Sequence, residues 1–405
     1  MIQTIQIMSV IGCIPDLTEY IDIPKAVRDE KYAKSKCLLI KKQGDLYIIK
    51  YIKHCLTQEN VQTLGYFRSI ITDGKKLLAY SPPKSVSSGN FIKSFPDGKD
   101  CILEEFVEGT MINCFYHNNE WKIASRWNIG AKRSFYQDSK RRLSFYDMFK
   151  EAMEECHLCF DQLDKNYCYS FVLQHPLNRI VVPFAKPSLI LISIYELDNW
   201  RIREINTKII DCNVRRPIRY SLNYPVQDWK TYFDPYIGIQ ADYTILGVVL
   251  KHHSDGPCVR SKVRNSTYEK VRHLKGNSPK IQFQYYHLYQ QGKIKEFLHY
   301  FPEYKQEFWN LRTELIQWTD KLLHLYKNRH IFKNINDKEI PYSFRPHVWS
   351  LHDIYQSILR EKKLSINKQI VINYIYDLPP SRLMYSINYP LRQKEKDDVK
   401  GLTTN

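Results

Sequence analysis

No apolar run in these 405 residues approaches the roughly 18 needed to cross a bilayer as a helix. A membrane partner is therefore not expected. The stretch Met1–Ile14 is apolar, but it has neither a basic leader nor a small-residue cleavage site. It reads as a first β-strand. Acids are also short: 43 Asp and Glu stand against 60 Lys and Arg, a net charge of +17. That excess points to a polyanionic partner, and 30 tyrosines offer stacking surfaces for bases. The alternative is a lysine-rich, solvated surface without a specific partner. The ten cysteines lack regular spacing, which excludes a disulfide scaffold and implies free thiols in a reducing, cytoplasmic setting. Cys156-His157-Leu158-Cys159, with Cys168 nearby, has no second ligand pair at finger spacing, and His252-His253 with Cys258 has no metal spacing either. No metal centre is expected from these residues. Internal repeats and low-complexity blocks are missing as well.

What is present falls into two parts. Residues 1–285 alternate short β-branched runs with turn signals: Cys37–Lys41, Asp45–Ile52, Phe67–Thr72 and Leu77–Tyr80, with Asp73-Gly74 at hairpin spacing. Cys101–Phe106, Thr110–His117 and Trp121–Arg126 read as a meander, joined at its last turn by Asn118-Asn119. Leu143–Leu163 carries a helical pattern, and further strands are expected at Cys168–Leu173, Arg179–Pro183, Leu189–Glu196 and Tyr243–Lys251. From residue 286 the period changes. Phe308, Leu311, Leu315, Trp318, Leu322 and Leu325 repeat at steps of three and four, the mark of a packed helix face. Helices are also expected at Val348–Arg360 and Lys368–Tyr376, with a break at Pro379-Pro380. The expected organisation is a mixed α+β domain over 1–285, an all-helical domain over 286–392 that is a possible protein-docking element, and a charged, disordered tail over 393–405.

Three segments combine glycine, basic residues and strand character. They are Glu104-Glu105-Phe106-Val107-Glu108-Gly109 with the following run to Arg126, then Phe171-Val172 through Asn178-Arg179-Ile180-Val181, and Leu246-Gly247-Val248-Val249 followed by Lys262-Val263-Arg264 and Tyr268. In this order they resemble the motifs of covalent nucleotidyltransferases, in particular the phage tRNA-repair type of RNA ligase and its large-DNA-virus relatives. That family reads K-x-D-G, a T-R pair, F-E-L…N-R-I-V, E-G-x-V and K-x-K-x-x-x-Y. Upstream, Phe67-Arg68-Ser69-Ile70-Ile71 and Pro83-Lys84-Ser85 resemble its R-G-I-I-F and P-K-F-F-N segments. The likeness covers about residues 60–275 and implies a nucleotidyltransferase (RNA ligase-like) fold.

The resemblance implies a chemistry in which a lysine amine attacks the α-phosphate of ATP, carboxylates hold the ribose and Mg2+, and cations hold phosphates. This chain departs from it selectively. The nucleophile position is Phe106, and the two motif glutamates fall on Val172 and Leu246. Glu108, Gly109, Arg126, Asn178, Arg179, Gly247, Lys262 and Arg264 keep the nucleotide- and phosphate-binding positions. The pattern implies a basic cleft that holds RNA or a nucleotide, with catalysis lost or altered and no cofactor. An active ligase using ATP and Mg2+ through a displaced lysine such as Lys84 is the alternative, and a non-catalytic viral scaffold or nucleic-acid-binding protein in the host cytoplasm is another. Phe106, Arg126, Arg179, Lys262 and Arg264 are expected to meet in one cleft.

Overall fold

The alternating runs of the first part become strands because their apolar residues bury on one or both sheet faces. In chain order these are β1 (Val10–Ile14), β2 (Leu38–Gln43), β3 (Leu46–Tyr51), β4 (Ile70–Thr72) and β5 (Leu77–Tyr80). Then follow β6 (Cys101–Glu105), β7 (Thr110–His117), β8 (Glu120–Ser125), β9 (Asn128–Ile129) and β10 (Tyr167–Gln174). The last are β11 (Ser188–Asp198), β12 (Arg201–Ile205), β13 (Arg219–Tyr220), β14 (Gly247–His252) and β15 (Val259–Arg264). The structure, a computed structural model, describes residues 10–133, 143–210, 212–253 and 256–394.

Three sheets form. A seven-stranded sheet runs β1-β12-β11-β10-β7-β8-β9, and two four-stranded sheets run β13-β6-β14-β15 and β2-β3-β4-β5. The Asp73-Gly74 hairpin forms as expected: Gly74 takes φ +89° and Asp73 Oδ1 accepts the amides of Lys75 and Lys76. Asn118 and Asn119 both take positive φ, the geometry of a tight two-residue hairpin turn. The expected meander does not form whole. β6 leaves β7 and pairs with β14 in another sheet, since Val248 and Leu250 need its apolar face and its register against β14 continues to Cys101.

The helix expected over 143–163 is shorter, Phe145–Glu155. A capping box between Ser144 and Asp147 starts it, and its Met148, Phe149, Ala152 and Met153 bury against Ile112, Phe171, Leu189 and Leu191 of the large sheet. The strand expected over Arg179–Pro183 is absent. Residues 176–178 make a 3-10 turn, and the amides of Val181 and Val182 are drawn to the Glu108 carboxylate instead of to a neighbouring strand.

The chain divides into two compact units between His273 and Leu274, inside the helix Ser266–Lys275 and upstream of the change of period. The second unit is helical. Its longest helix, Lys305–Tyr326, buries five of the six residues of the expected face, Phe308, Leu315, Trp318, Leu322 and Leu325, while Leu311 is half-buried. Phe297 stacks on Phe308 with ring centroids 4.9 Å apart, and Trp318 stacks on Phe344 at 5.1 Å. Pro380 does not only break the chain: it opens a further helix, Pro380–Ile387, where its missing N–H costs nothing. Of the expected charged, disordered tail over 393–405, residues 393 and 394 are helical and 395–405 lie outside the described residues. No described helix is long and apolar enough to cross a membrane.

Candidate functional site

A cleft of about 220 Å³ opens between the seven-stranded sheet and the β13-β6-β14-β15 sheet. Register explains its chemistry. On β15, Arg260, Lys262 and Arg264 alternate onto one face. Across the ladder they face Lys251, Val249 and Gly247 of β14, and Val249 in turn faces Glu104 of β6. Phe106 follows β6, and its amide donates to the Gly247 carbonyl. Gly247, with no side chain, lies between Phe106 and Arg264 in this sheet. The Phe106 ring therefore receives both cations: Lys262 Nζ sits 4.4 Å and the Arg264 guanidinium 5.6 Å from its centroid.

The opposite wall is apolar. Met111, Val172 and Ile190 are register neighbours across β7, β10 and β11, and Val107 and Ile192 close the cluster. Val172 and Leu246, the two positions where the resemblance places glutamates, both line this cleft as hydrocarbon.

The remaining carboxylates are occupied. Glu104 pairs with Lys251 at 2.6 Å with both side chains buried. Burial alone would lower the Lys251 amine, but Glu104 and Glu204 hold it above its ordinary value. Glu105 takes Arg215 in a two-pronged pair at 2.7 and 3.0 Å and also accepts the Ile218 amide. Glu108 is 5% exposed and accepts the amides of Val181 at 3.1 Å and Val182 at 3.2 Å, with the Tyr268 hydroxyl as a further donor. Burial pushes its carboxyl up despite these bonds. Glu269 pairs with Arg264 and Arg272. Among the described residues no group of three His, Cys, Asp or Glu is arranged to hold a metal ion. Hard divalent cations need oxygen ligands, and the cleft carboxylates Glu104, Glu105 and Glu108 are each engaged by partners within the protein, an arrangement that does not favour Mg2+.

The cations fare differently. Lys262 has no acidic partner among the described residues, and it faces Arg260, Arg68, Arg264 and Lys84. Burial and these charges push its amine down to about 5. Arg68 lines the same cleft, donates to the Pro82 carbonyl at 3.3 Å, and is lowered to about 10 by burial and by Arg260 and Arg126. Arg260 is 6% exposed and its Nε has no hydrogen-bond partner.

Of the five residues expected to meet, Phe106, Lys262 and Arg264 line the cleft, and Arg126 and Arg179 are not among its lining residues. Arg126 is exposed in the turn after β8, with its guanidinium over Tyr51 at 5.9 Å. Arg179 folds its Nε back to the Val181 carbonyl at 2.9 Å. Asn178 is buried and ties Thr110 Oγ1 at 2.9 Å. Gly109 and Gly247 serve close backbone approach. A Cβ at Gly109 (φ +145°) would meet the Leu173 carbonyl at 2.5 Å, and one at Gly247 (φ +138°) the Val263 carbonyl at 2.1 Å. Gly247 also borders a second cavity of about 140 Å³ behind Phe106, which includes Gln174 and Tyr220. Lys84 is exposed and does not line the cleft, although burial of part of its stem and the cations Arg68, Arg264 and Arg126 lower its amine.

The sequence reading missed Arg68 and Arg260. Arg260 was findable from the same two-residue period that pairs Lys262 with Arg264. Arg68 stands in the segment that resembles the family's R-G-I-I-F, but it was not named as a site residue; the fold brings it to the lining of this cleft.

No family model matches the chain. It is similar to the RNA ligase of Rhodothermus phage RM378, 26% identical over 197 residues, or 40% of this chain and 43% of that protein. It is also similar to the immediate-early protein ICP-46 of Frog virus 3 (isolate Goorha), 22% identical over 246 residues, 54% of this chain and 60% of that one. The chain spans about half the length of the curated relatives it matches. Among solved structures, an archaeal ATP-dependent RNA ligase aligns with 92% of this chain and 79% of its own, at 14% identity and a TM-score of 0.39. By the order of its motifs and by these sequence relatives, the chain resembles the RNA ligases among the covalent nucleotidyltransferases, with phenylalanine at the nucleophile position.

Proposed function

We propose that the cleft binds the phosphates of RNA or of a nucleotide and forms no covalent nucleotidyl intermediate at the position of the family lysine. One observation carries this reading. The Phe106 ring sits under Lys262 and Arg264 where an amine is required, so the retained cations surround an inert group. Apolar Val172 and Leu246 agree with it, since a cleft without free carboxylates favours anions over metal ions. The phage relative's name, RNA ligase, supports RNA as the polyanion.

The test is incubation with α-labelled ATP or GTP and Mg2+ or Mn2+, followed by denaturing electrophoresis. No covalent band is expected. RNA binding that weakens steeply with salt is expected in parallel. A second reading keeps the enzyme active through Lys84, whose amine lies in the field of Arg68 and Arg264. A labelled band abolished by Lys84→Ala selects that reading over the first.

A further inference from the structure

The acids of the cleft are paired or replaced, but three of its cations are not answered by any of them. Arg260 is buried with its Nε unpartnered. Lys262 and Arg68 have no ion pair among the described residues, and each feels Arg260 as a repelling neighbour. Two guanidinium charges beside an amine that gives up its proton rather than join them raise the free energy of the empty site, and the group that relieves it is an anion brought in from outside. We infer that Arg68, Arg260 and Lys262 form a built site for a phosphate dianion that works without a divalent metal.

This rests on the phosphate-binding reading above and departs from the ATP and Mg2+ scheme that the family resemblance implies. Two guanidinium groups offer forked N–H donors matched to phosphate oxygens, and the amine adds a point charge. Glu104, Glu105, Glu108 and Glu269 are each engaged inside the protein, so no free carboxylate is left to hold a metal between site and ligand or to repel the dianion. Lys262 gives the site a signature. Its amine is neutral at pH 7 in the empty cleft, because burial and the charges of Arg260, Arg68, Arg264 and Lys84 disfavour the proton. A dianion at that place reverses the balance, and the amine takes a proton as the ligand enters. The same chemistry is offered by free phosphate and by the terminal phosphate of a nucleotide or RNA.

The experiment is titration calorimetry of the full chain with inorganic phosphate at pH 7 in EDTA, repeated in two buffers of different ionisation heat. Binding is expected without metal, unchanged by added Mg2+, with net proton uptake. Arg260→Met is expected to lower affinity by about tenfold or more. Lys262→Met, at a half-buried position that methionine fills, is expected to bind more weakly and to lose the proton uptake. A 5′-phosphorylated and a 5′-hydroxyl RNA of one sequence separate the sources. Tighter binding of the first assigns an RNA end, and equal binding beside a positive phosphate titration assigns free phosphate. The inference is overturned by binding that requires Mg2+, by binding without proton uptake, or by variants that bind phosphate like the parent. If phosphate fails to bind but RNA binds with a steep salt dependence, this site is wrong and the polyanion reading stands; if neither binds, both fall.

Discussion

Glu108 is where the family pattern and the geometry disagree most sharply, and its substitution decides between them. As a ligand-binding carboxylate it would be free in the cleft it lines; here it is spent on the Val181 and Val182 amides and the Tyr268 hydroxyl. Glu108→Ala leaves those three donors buried and unanswered. At about 1–3 kcal/mol each, allowing for non-additivity, the loss is about 3–6 kcal/mol. Glu108→Gln behaves differently. Its carbonyl oxygen accepts both amides, its NH2 meets the Tyr268 oxygen, and the cost of burying a charge disappears. That variant should lie within about 1 kcal/mol of the parent.

The pH dependence has a fixed sign. The native carboxyl holds its proton to higher pH than an ordinary glutamate. Between the unfolded and native values the native state therefore binds more protons, and stability falls as pH rises through that window. Glu108→Gln removes this slope, so its advantage over the parent is absent in acid and full above the native pKa. Denaturant titration read alongside hydrogen exchange of the 176–186 peptide measures both effects: Glu108→Ala should lose protection at Val181 and Val182, and Glu108→Gln should keep it. Retained protection in Glu108→Ala, or a drop in RNA affinity in Glu108→Gln with protection intact, would refute the bracket and restore a ligand role.

Placing the lysine alone should not give chemistry: Phe106→Lys is expected to show no label from α-labelled ATP, because Val172 and Leu246 still stand at the positions of the acids, and to be less stable than the parent from repulsion by Arg264. Denaturing electrophoresis and a urea titration read the two effects. Breaking the buried Glu104–Lys251 pair from one side, by Glu104→Gln or Lys251→Met, should cost about 3–5 kcal/mol in urea titrations, with much of the loss recovered in the double variant. Lys262 is neutral when folded and charged when unfolded between about 5 and its ordinary value of 10.5, so the unfolded state binds more protons there and stability rises with pH. Lys262→Met should flatten that rise in melts run from about pH 6 to pH 9.

What the sequence made legible was local. The Asp73-Gly74 turn, β5, β7 and the Lys305–Tyr326 helix follow from turn residues and from periods of two and 3.6. The failures share one cause. Arg179–Pro183 has the composition of a strand, but its amides are taken by a glutamate from a distant segment. β6 reads as part of a meander, but its partner β14 lies far along the chain. Gly109 and Gly247 look like ligand-binding glycines, and the tight approach that demands them is visible only once β10 and β15 are in place. Composition cannot report pairings of this range.

Phe106 ties these observations together. A lysine there would stand beside Lys262 and Arg264 with neither motif glutamate left to balance it. A small aliphatic residue would leave both cations over empty hydrocarbon. An aromatic ring offers the Arg264 guanidinium a π face, worth about 0.5–2 kcal/mol, and accommodates the desolvated Lys262 amine on the same ring. Phenylalanine at 106 and hydrocarbon at 172 and 246 therefore agree with one another: with neither motif glutamate present, a further amine beside these cations is costly. What the arrangement keeps is positive charge held ready for an anion, which is why Arg68, Arg260 and Lys262 are more informative about this chain than the lysine it lacks.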